Sequence, residues 1–189
     1  STLGLMEDSR GRLWIARSEN VVVYDRGSFV QVIDSSQLGQ GTTWSFCEAP
    51  DGTVWAAAAK GLVRWKDGKA TLISTKDGLP ATRLRAVCLD RDGSLWIGTN
   101  GGGLVRMREG RFTSFTTKTG FPGNQVISVL PDPRGGVWAT TSGEGLARVE
   151  GDEDLLQGIG QGHRVGHGPG QHDVHAPDPR EGHEHERDR

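Results

Sequence analysis

Read for the alternation of apolar and polar positions, the chain resolves into short strands rather than helices. The clearest stretch runs from Leu84 to Pro122. Arg85-Ala-Val-Cys-Leu-Asp90 predicts a strand, and Asp92-Gly93 a hairpin turn built from residues that tolerate positive φ. Leu95-Trp-Ile-Gly-Thr99 predicts a second strand, rich in aromatic and β-branched types. Asn100-Gly101-Gly102 turns into a third, Gly103 to Arg108, and Glu109-Gly110 into a fourth, Arg111 to Thr116, whose Phe112 and Phe115 break strict alternation. Nowhere in these stretches do apolar residues recur at helical spacing, and the repeated Gly and Asp-Gly pairs disfavour helix interiors.

The same order of strands and turns returns with a fixed period. Trp14, Trp55, Trp96 and Trp138 are 41, 41 and 42 residues apart, each preceded at three residues by glycine: Gly11, Gly52, Gly93 and Gly135. Gly61-Leu62, Gly103-Leu104 and Gly145-Leu146 follow, with Arg64, Arg106 and Arg148 two positions on. Four antiparallel strands in about forty residues make one blade of a β-propeller. The fold class is therefore all-β, with four blades at about 3–40, 41–80, 81–122 and 123–154. Seven blades would need about 287 residues at this period, so four are expected to be a fragment whose open ends expose faces that neighbouring blades would cover.

Composition divides the chain once more. All six histidines lie after residue 154, and residues 155–189 hold 7 Gly, 3 Pro and 10 charged residues with no aromatic. Such a segment buries too little to offset its ordering entropy. It is expected to be disordered or the product of a shifted reading frame, because the Trp due at 179 or 180 is replaced by Pro179 and Arg180. The fourth blade is expected to lose its outer strand, since Asp152-Glu153-Asp154 stands where that strand should begin. A net charge of −2 argues against a nucleic-acid partner. No apolar run reaches the length of a membrane span, so any leader or anchor is expected outside this segment, which itself should make no membrane contact.

The phrases Asp92-Gly-Ser-Leu-Trp-Ile-Gly-Thr99, Gly102-Gly-Leu-Val-Arg106 and Asp77-Gly-Leu-Pro80 resemble two-component regulator propeller repeats. The resemblance covers residues 3 to about 150 and is weakest in the first copy, where Asn20-Val-Val-Val-Tyr24 replaces Gly-Gly-Leu. It implies a seven-bladed, extracytoplasmic sensor region of a bacterial hybrid histidine kinase, periplasmic and non-catalytic. A ligand such as an oligosaccharide, the remaining blades and a transmitter domain are the partners it implies. Two alternatives stand beside it: a structural or protein-interaction propeller, and a lyase like the one acting on streptogramins. The lyase needs histidine and magnesium, and residues 1–154 contain no histidine.

Candidate chemistry is sparse. If the strand ending at Asp90 is innermost, the loops entering it and those joining second to third strands share a face. That face carries Trp44, Lys60, Arg83, Arg85, Asn100, Asn124 and Gln125, polar and aromatic groups suited to a hydroxyl-rich or acidic ligand. Neither a catalytic residue nor a cofactor or metal site is expected. The four Trp in register read as inter-blade packing, Trp65 as core, and Cys47 and Cys88 as free buried thiols in an apolar slot. Asp90-x-Asp92-Gly93 reads as a plain turn, not a calcium loop, and the repeated Arg as pairing with a neighbouring blade. Gly158-x-Gly160-x-Gly162 reads as low complexity, and the tail histidines as no dedicated metal site.

Overall fold

Each Gly-x-x-Trp unit folds into one antiparallel four-stranded sheet whose strands lie in chain order. The computed structural model describes residues 2–34, 36–38, 42–150 and 156–159. The first sheet holds β1 (Thr2–Glu7), β2 (Leu13–Arg17), β3 (Val21–Asp25) and β4 (Ser28–Ile33). The second holds β5 (Thr43–Glu48), β6 (Val54–Ala58), β7 (Gly61–Lys66) and β8 (Lys69–Ile73). The third holds β9 (Leu84–Leu89), β10 (Leu95–Thr99), β11 (Leu104–Arg108) and β12 (Arg111–Phe115). In the fourth are β13 (Val126–Pro131), β14 (Val137–Thr141), β15 (Gly145–Val149) and β16 (Leu156–Ile159). First strands pack on first strands, β1 on β5, β5 on β9 and β9 on β13, so they form the inner edge of the arc.

Two expectations are corrected here. The fourth blade does have an outer strand: β16 pairs antiparallel with β15 in the register Leu146↔Ile159 to Val149↔Leu156. Strand pairing needs only backbone donors and acceptors, so the side-chain composition that argued against an outer strand does not prevent one. Residues 156–159, which include Gly158, thus belong to a blade and not to a tail. The remaining tail positions, with their histidines and the other glycines of that run, lie outside the described residues.

Local chemistry explains the turns. The outer hairpins turn through Arg26-Gly27, Asp67-Gly68 and Glu109-Gly110, all with positive φ, the two-residue geometry whose twist matches that of the strands. The blade connections Thr75–Asp77 and Thr117–Thr119 are single 3₁₀ turns closed by Gly78 and Gly120, both at φ 89°. Each delivers one apolar plug, Leu79 or Phe121, into the next inter-blade core.

Three cores lie between the sheets, and three of the four register tryptophans sit in or against them. Trp14 packs with Phe46 and Trp65 between the first and second sheets, and Trp96 with Phe115 and Phe121 between the third and fourth. Trp55, half-buried, packs against the core between the second and third. Trp65 meets the Trp14 ring edge-on at 4.9 Å. Inner strands converge, so the position ten residues before each Trp is small: Gly4, Ser45, Ala86 and Ser128. A Cβ on Gly4 would lie 2.8 Å from the Trp44 carbonyl oxygen. The two cysteines are free, Cys88 buried and Cys47 half-buried. Burial pushes both thiols up to about 12, which keeps them unreactive at neutral pH. The end faces are open: Leu5 and Phe29 on the first sheet are 65% and 67% exposed, and Leu130 on the fourth 64%.

The inner hairpin turns hold more than a glycine. Six residues before three of the tryptophans stands an aspartate, Asp8, Asp90 or Asp132, buried in each case. Asp90 Oδ1 accepts from the N–H groups of Asp92 and Ser94, both at 2.9 Å, and Oδ2 from Trp96 Nε1 at 2.7 Å. Asp8 accepts likewise from Arg10, Arg12 and Trp14 Nε1. The expected turn is present, but its carboxylate also anchors the indole. Of the repeated arginines, expected to pair across blades, Arg106 and Arg148 make contacts within their own. Arg148 Nε donates to Asp132 at 2.5 Å, and Arg106 Nε to Ser94 Oγ at 3.0 Å while lying over the Trp96 ring.

These clamps make the fold acid-sensitive. Burial raises the Asp8 carboxyl, but the hydrogen bonds from Trp14, Arg12 and Arg10 outweigh it and hold it below the ordinary carboxylate value. The Arg134 backbone N–H, followed by the Arg148 side chain, holds Asp132 well below that value. A depressed folded pKa contributes stability that is full above the unfolded value near ~4 and is lost as pH falls through the folded one. The urea midpoint is therefore expected to be flat from pH 7 to about 5 and to fall steeply below about 4. A midpoint unchanged at pH 3 would contradict the assignment.

Candidate functional site

The face expected from the sequence is stitched together by backbone. Ala59 N–H donates to Thr42 O, Arg83 N–H to Ala59 O and Asn100 N–H to Arg83 O, at 2.8, 3.0 and 3.0 Å. Asn100 and Gln125 form an isolated antiparallel bridge, and Ser142 N–H donates to Gln125 O at 2.9 Å. This chain of contacts runs from the second blade to the fourth. Arg83 pays for its place in it with φ 58°, a left-handed backbone uncommon outside glycine and asparagine.

The seven expected residues divide by what holds them. Arg83, Asn100 and Gln125 lie on the stitched chain, with the Arg83 and Gln125 side chains exposed. Lys60 is exposed in the turn after Ala59. Asn124 braces the turns around it, since its carbonyl accepts from Gly101 and Gly103 and its side chain is engaged by Thr117 at 2.9 and 3.1 Å. Trp44 and Arg85 meet directly, the guanidinium 4.9 Å from the indole ring centroid.

Trp44 and Arg85 owe their position to an irregularity shared by every blade. Thr43 pairs with Ala58 and Ser45 with Ala57, so Trp44 is an extra residue in its strand. Leu84 pairs with Thr99 and Ala86 with Gly98, which makes Arg85 the extra one; Val126↔Thr141 and Ser128↔Thr140 do the same for Ile127. Such a bulge re-aims a side chain that regular alternation would send into an inter-blade core. Ile127, 49% exposed at the equivalent place, is not among the seven expected residues. Its signal lies in the spacing, because residues 44, 85 and 127 all stand eleven before their Trp. Lys60, Arg83 and Arg85 make the second and third blades the cationic sector of this face.

Among the described residues no group of three or more metal-ligating side chains occurs, and no helix is long and apolar enough to cross a membrane. Histidine is likewise missing among them.

Known proteins agree with this architecture. Residues 78–101 and 120–143 match the family model of the two-component regulator propeller. These stretches are two-component regulator propeller repeats. Each takes in one 3₁₀-turn glycine, the apolar plug and the two inner strands that follow. Ninety-two chains of solved structures match. The extracellular domain of a hybrid two-component system from B. thetaiotaomicron is 24% identical with a TM-score of 0.73, and the match covers 83% of this chain and 22% of that one. Virginiamycin B lyase from Staphylococcus aureus is 16% identical with a TM-score of 0.66, covering 84% and 55%. A gluconolactonase from Xanthomonas campestris is 16% identical with a TM-score of 0.61, covering 82% and 60%. The chain thus spans about a fifth of that extracellular domain and over half of each enzyme. No curated protein matches it.

Proposed function

We propose that the chain is the four-bladed portion of an extracytoplasmic, non-catalytic sensor propeller, one that takes a hydroxyl-rich or acidic ligand such as an oligosaccharide. Binding energy on the propeller would shift an equilibrium relayed to a transmitter elsewhere in the same protein. The observation that carries this reading is the Trp44–Arg85 pair. An aromatic face and a cation stand on equivalent bulges of adjacent blades, at the inner edge of a face held rigid by backbone bonds. Aromatic faces suit the apolar side of a sugar ring, and a guanidinium suits hydroxyls or a uronate carboxylate. Binding groups on loops of a rigid scaffold is the arrangement expected of a recognition site.

The enzymatic reading draws on the likeness to the lyase, of which a histidine-to-alanine variant is catalytically inactive. The described residues here offer no histidine for that role, which favours the sensor. A kinase or cyclase in the same reading frame would support sensing, whereas a scaffold would lack one.

The test is titration of the full-length protein with uronic-acid and neutral oligosaccharides. Trp44→Ala and Arg85→Ala are each expected to weaken binding by roughly tenfold or more, about the worth of one stacking or charge-assisted contact. Binding unchanged in both variants would overturn the site.

A further inference from the structure

The opposite end of the blades carries a second candidate site, independent of the sensing face. Among the described residues, junctions between neighbouring blades are tied there by polar contacts in two of three cases. Ser9 donates to Glu48 between the first and second blades, through N–H at 2.6 Å and Oγ at 2.9 Å. Arg91 donates to the Pro133 carbonyl at 3.2 Å between the third and fourth. Between the second and third blades the corresponding positions are Pro50 and Leu89, which supply neither a donor nor a charge.

At that same junction the aspartate clamp is missing. Asp8, Asp90 and Asp132 have Ala49 as their counterpart. Trp55 Nε1 has no acceptor among the described residues, and its ring, like that of Trp138, is only half-buried, whereas Trp14 and Trp96, whose indoles Asp8 and Asp90 hold, are fully buried. The arginine is released as well. Arg64 lies directly opposite Trp55 in the ladder, as Arg106 lies opposite Trp96 and Arg148 opposite Trp138. Unlike those two it is exposed and has no partner among the described residues.

These absences coincide with a cavity of about 350 Å³ lined by Ala49, Trp55, Arg64, Leu89, Leu95 and Met107, among others. That volume is at the lower end of small-molecule pockets. Its walls are apolar, and its uncommitted polar groups are donors, the Trp55 indole N–H and the Arg64 guanidinium. One carboxylate lines it, Asp51, but that group is committed to Lys66 Nζ at 2.8 Å and to the N–H and Oγ of Thr53, both at 3.0 Å.

We propose that this pocket binds a small organic carboxylate with an apolar body. The carboxylate accepts from Trp55 Nε1, as Asp8 and Asp90 accept from their indoles, and from Arg64, as Asp132 accepts from Arg148. The apolar body lies against Leu89, Leu95 and Met107. A free ligand thus supplies in the second blade the carboxylate that the other three carry on their own chain as Asp8, Asp90 and Asp132.

The test uses the ¹⁵N-labelled full chain with benzoate as probe and benzamide as its neutral isostere. The Trp55 indole N–H signal is identified as the one that Trp55→Phe removes. Benzoate is expected to shift it saturably, and benzamide to bind at least roughly tenfold more weakly, the cost of losing one charge-assisted pair. Ala49→Asp supplies the carboxylate internally and is expected to abolish the response. Arg64→Met, a change to an exposed side chain, is expected to weaken benzoate by a similar factor and carries the test should Ala49→Asp disturb the fold. A benzoate response no stronger than that of benzamide, or one retained in full by Ala49→Asp or Arg64→Met, overturns the proposal. None of these outcomes bears on the sensing face.

Discussion

Replacing Asp90 with alanine is expected to cost about 3 kcal/mol of folding stability, a charge-assisted bond together with the donors left unpaired. The carboxylate satisfies two turn N–H groups and the indole of Trp96, and both Ser94 and Trp96 are 0% exposed, so water cannot take its place. Asparagine keeps one acceptor but sets an amide N–H₂ against a second donor, and it should fall between. With urea m-values of ~1–3 kcal/mol/M, the alanine variant should lower the unfolding midpoint by roughly 1–3 M. A loss under about 0.5 M would mean that the clamp is incidental.

Gly103→Ala is expected to be comparably damaging, for a different reason. Gly103 sits at φ 76°, and a Cβ there would lie 2.1 Å from the carbonyl oxygen of Phe115. The next nearest atoms are backbone too, so no side chain can swing aside, and β11 would have to separate from β12. A left-handed backbone alone costs ~1–2 kcal/mol for alanine, and forced overpacking a further ~1–3. Gly110→Ala is the matched control, because its φ is 77° and nothing lies within 4 Å of the added Cβ. Equal losses in the two variants would show that conformation, and not close approach, explains the glycine of the Gly-Leu motif.

These two positions mark what could be read from the chain beforehand. Periodicity exposed the blades because tryptophan and glycine recur for reasons local to one repeat: a large ring fills an inter-blade core, and turns need positive φ. The third-copy strands begin and end within one residue of where alternation puts them. Strand β16 was hidden because backbone pairing tolerates almost any composition. The role of Asp90 was hidden too, since a turn aspartate and an indole acceptor are the same residue type. For the candidate site, the loops sharing a face follow from strand order. The β-bulge does not, because an inserted residue leaves no mark in a short, already irregular alternation. Ala49 could be read as a deviation from Asp, but its consequence needed the geometry of Trp55 and Arg64.

The bulge has an implication for how such a scaffold diversifies. A residue that no opposing residue pairs with can be exchanged without disturbing the register of its sheet or the packing between sheets. The second, third and fourth blades therefore each carry one position, 44, 85 and 127, at which tryptophan, arginine and isoleucine are interchangeable as far as folding is concerned. Under the proposed reading of this face each blade resembles one independently cut pin of a lock, and new ligands would be reached by changing single letters at a fixed spacing while the sheets that hold them stay the same.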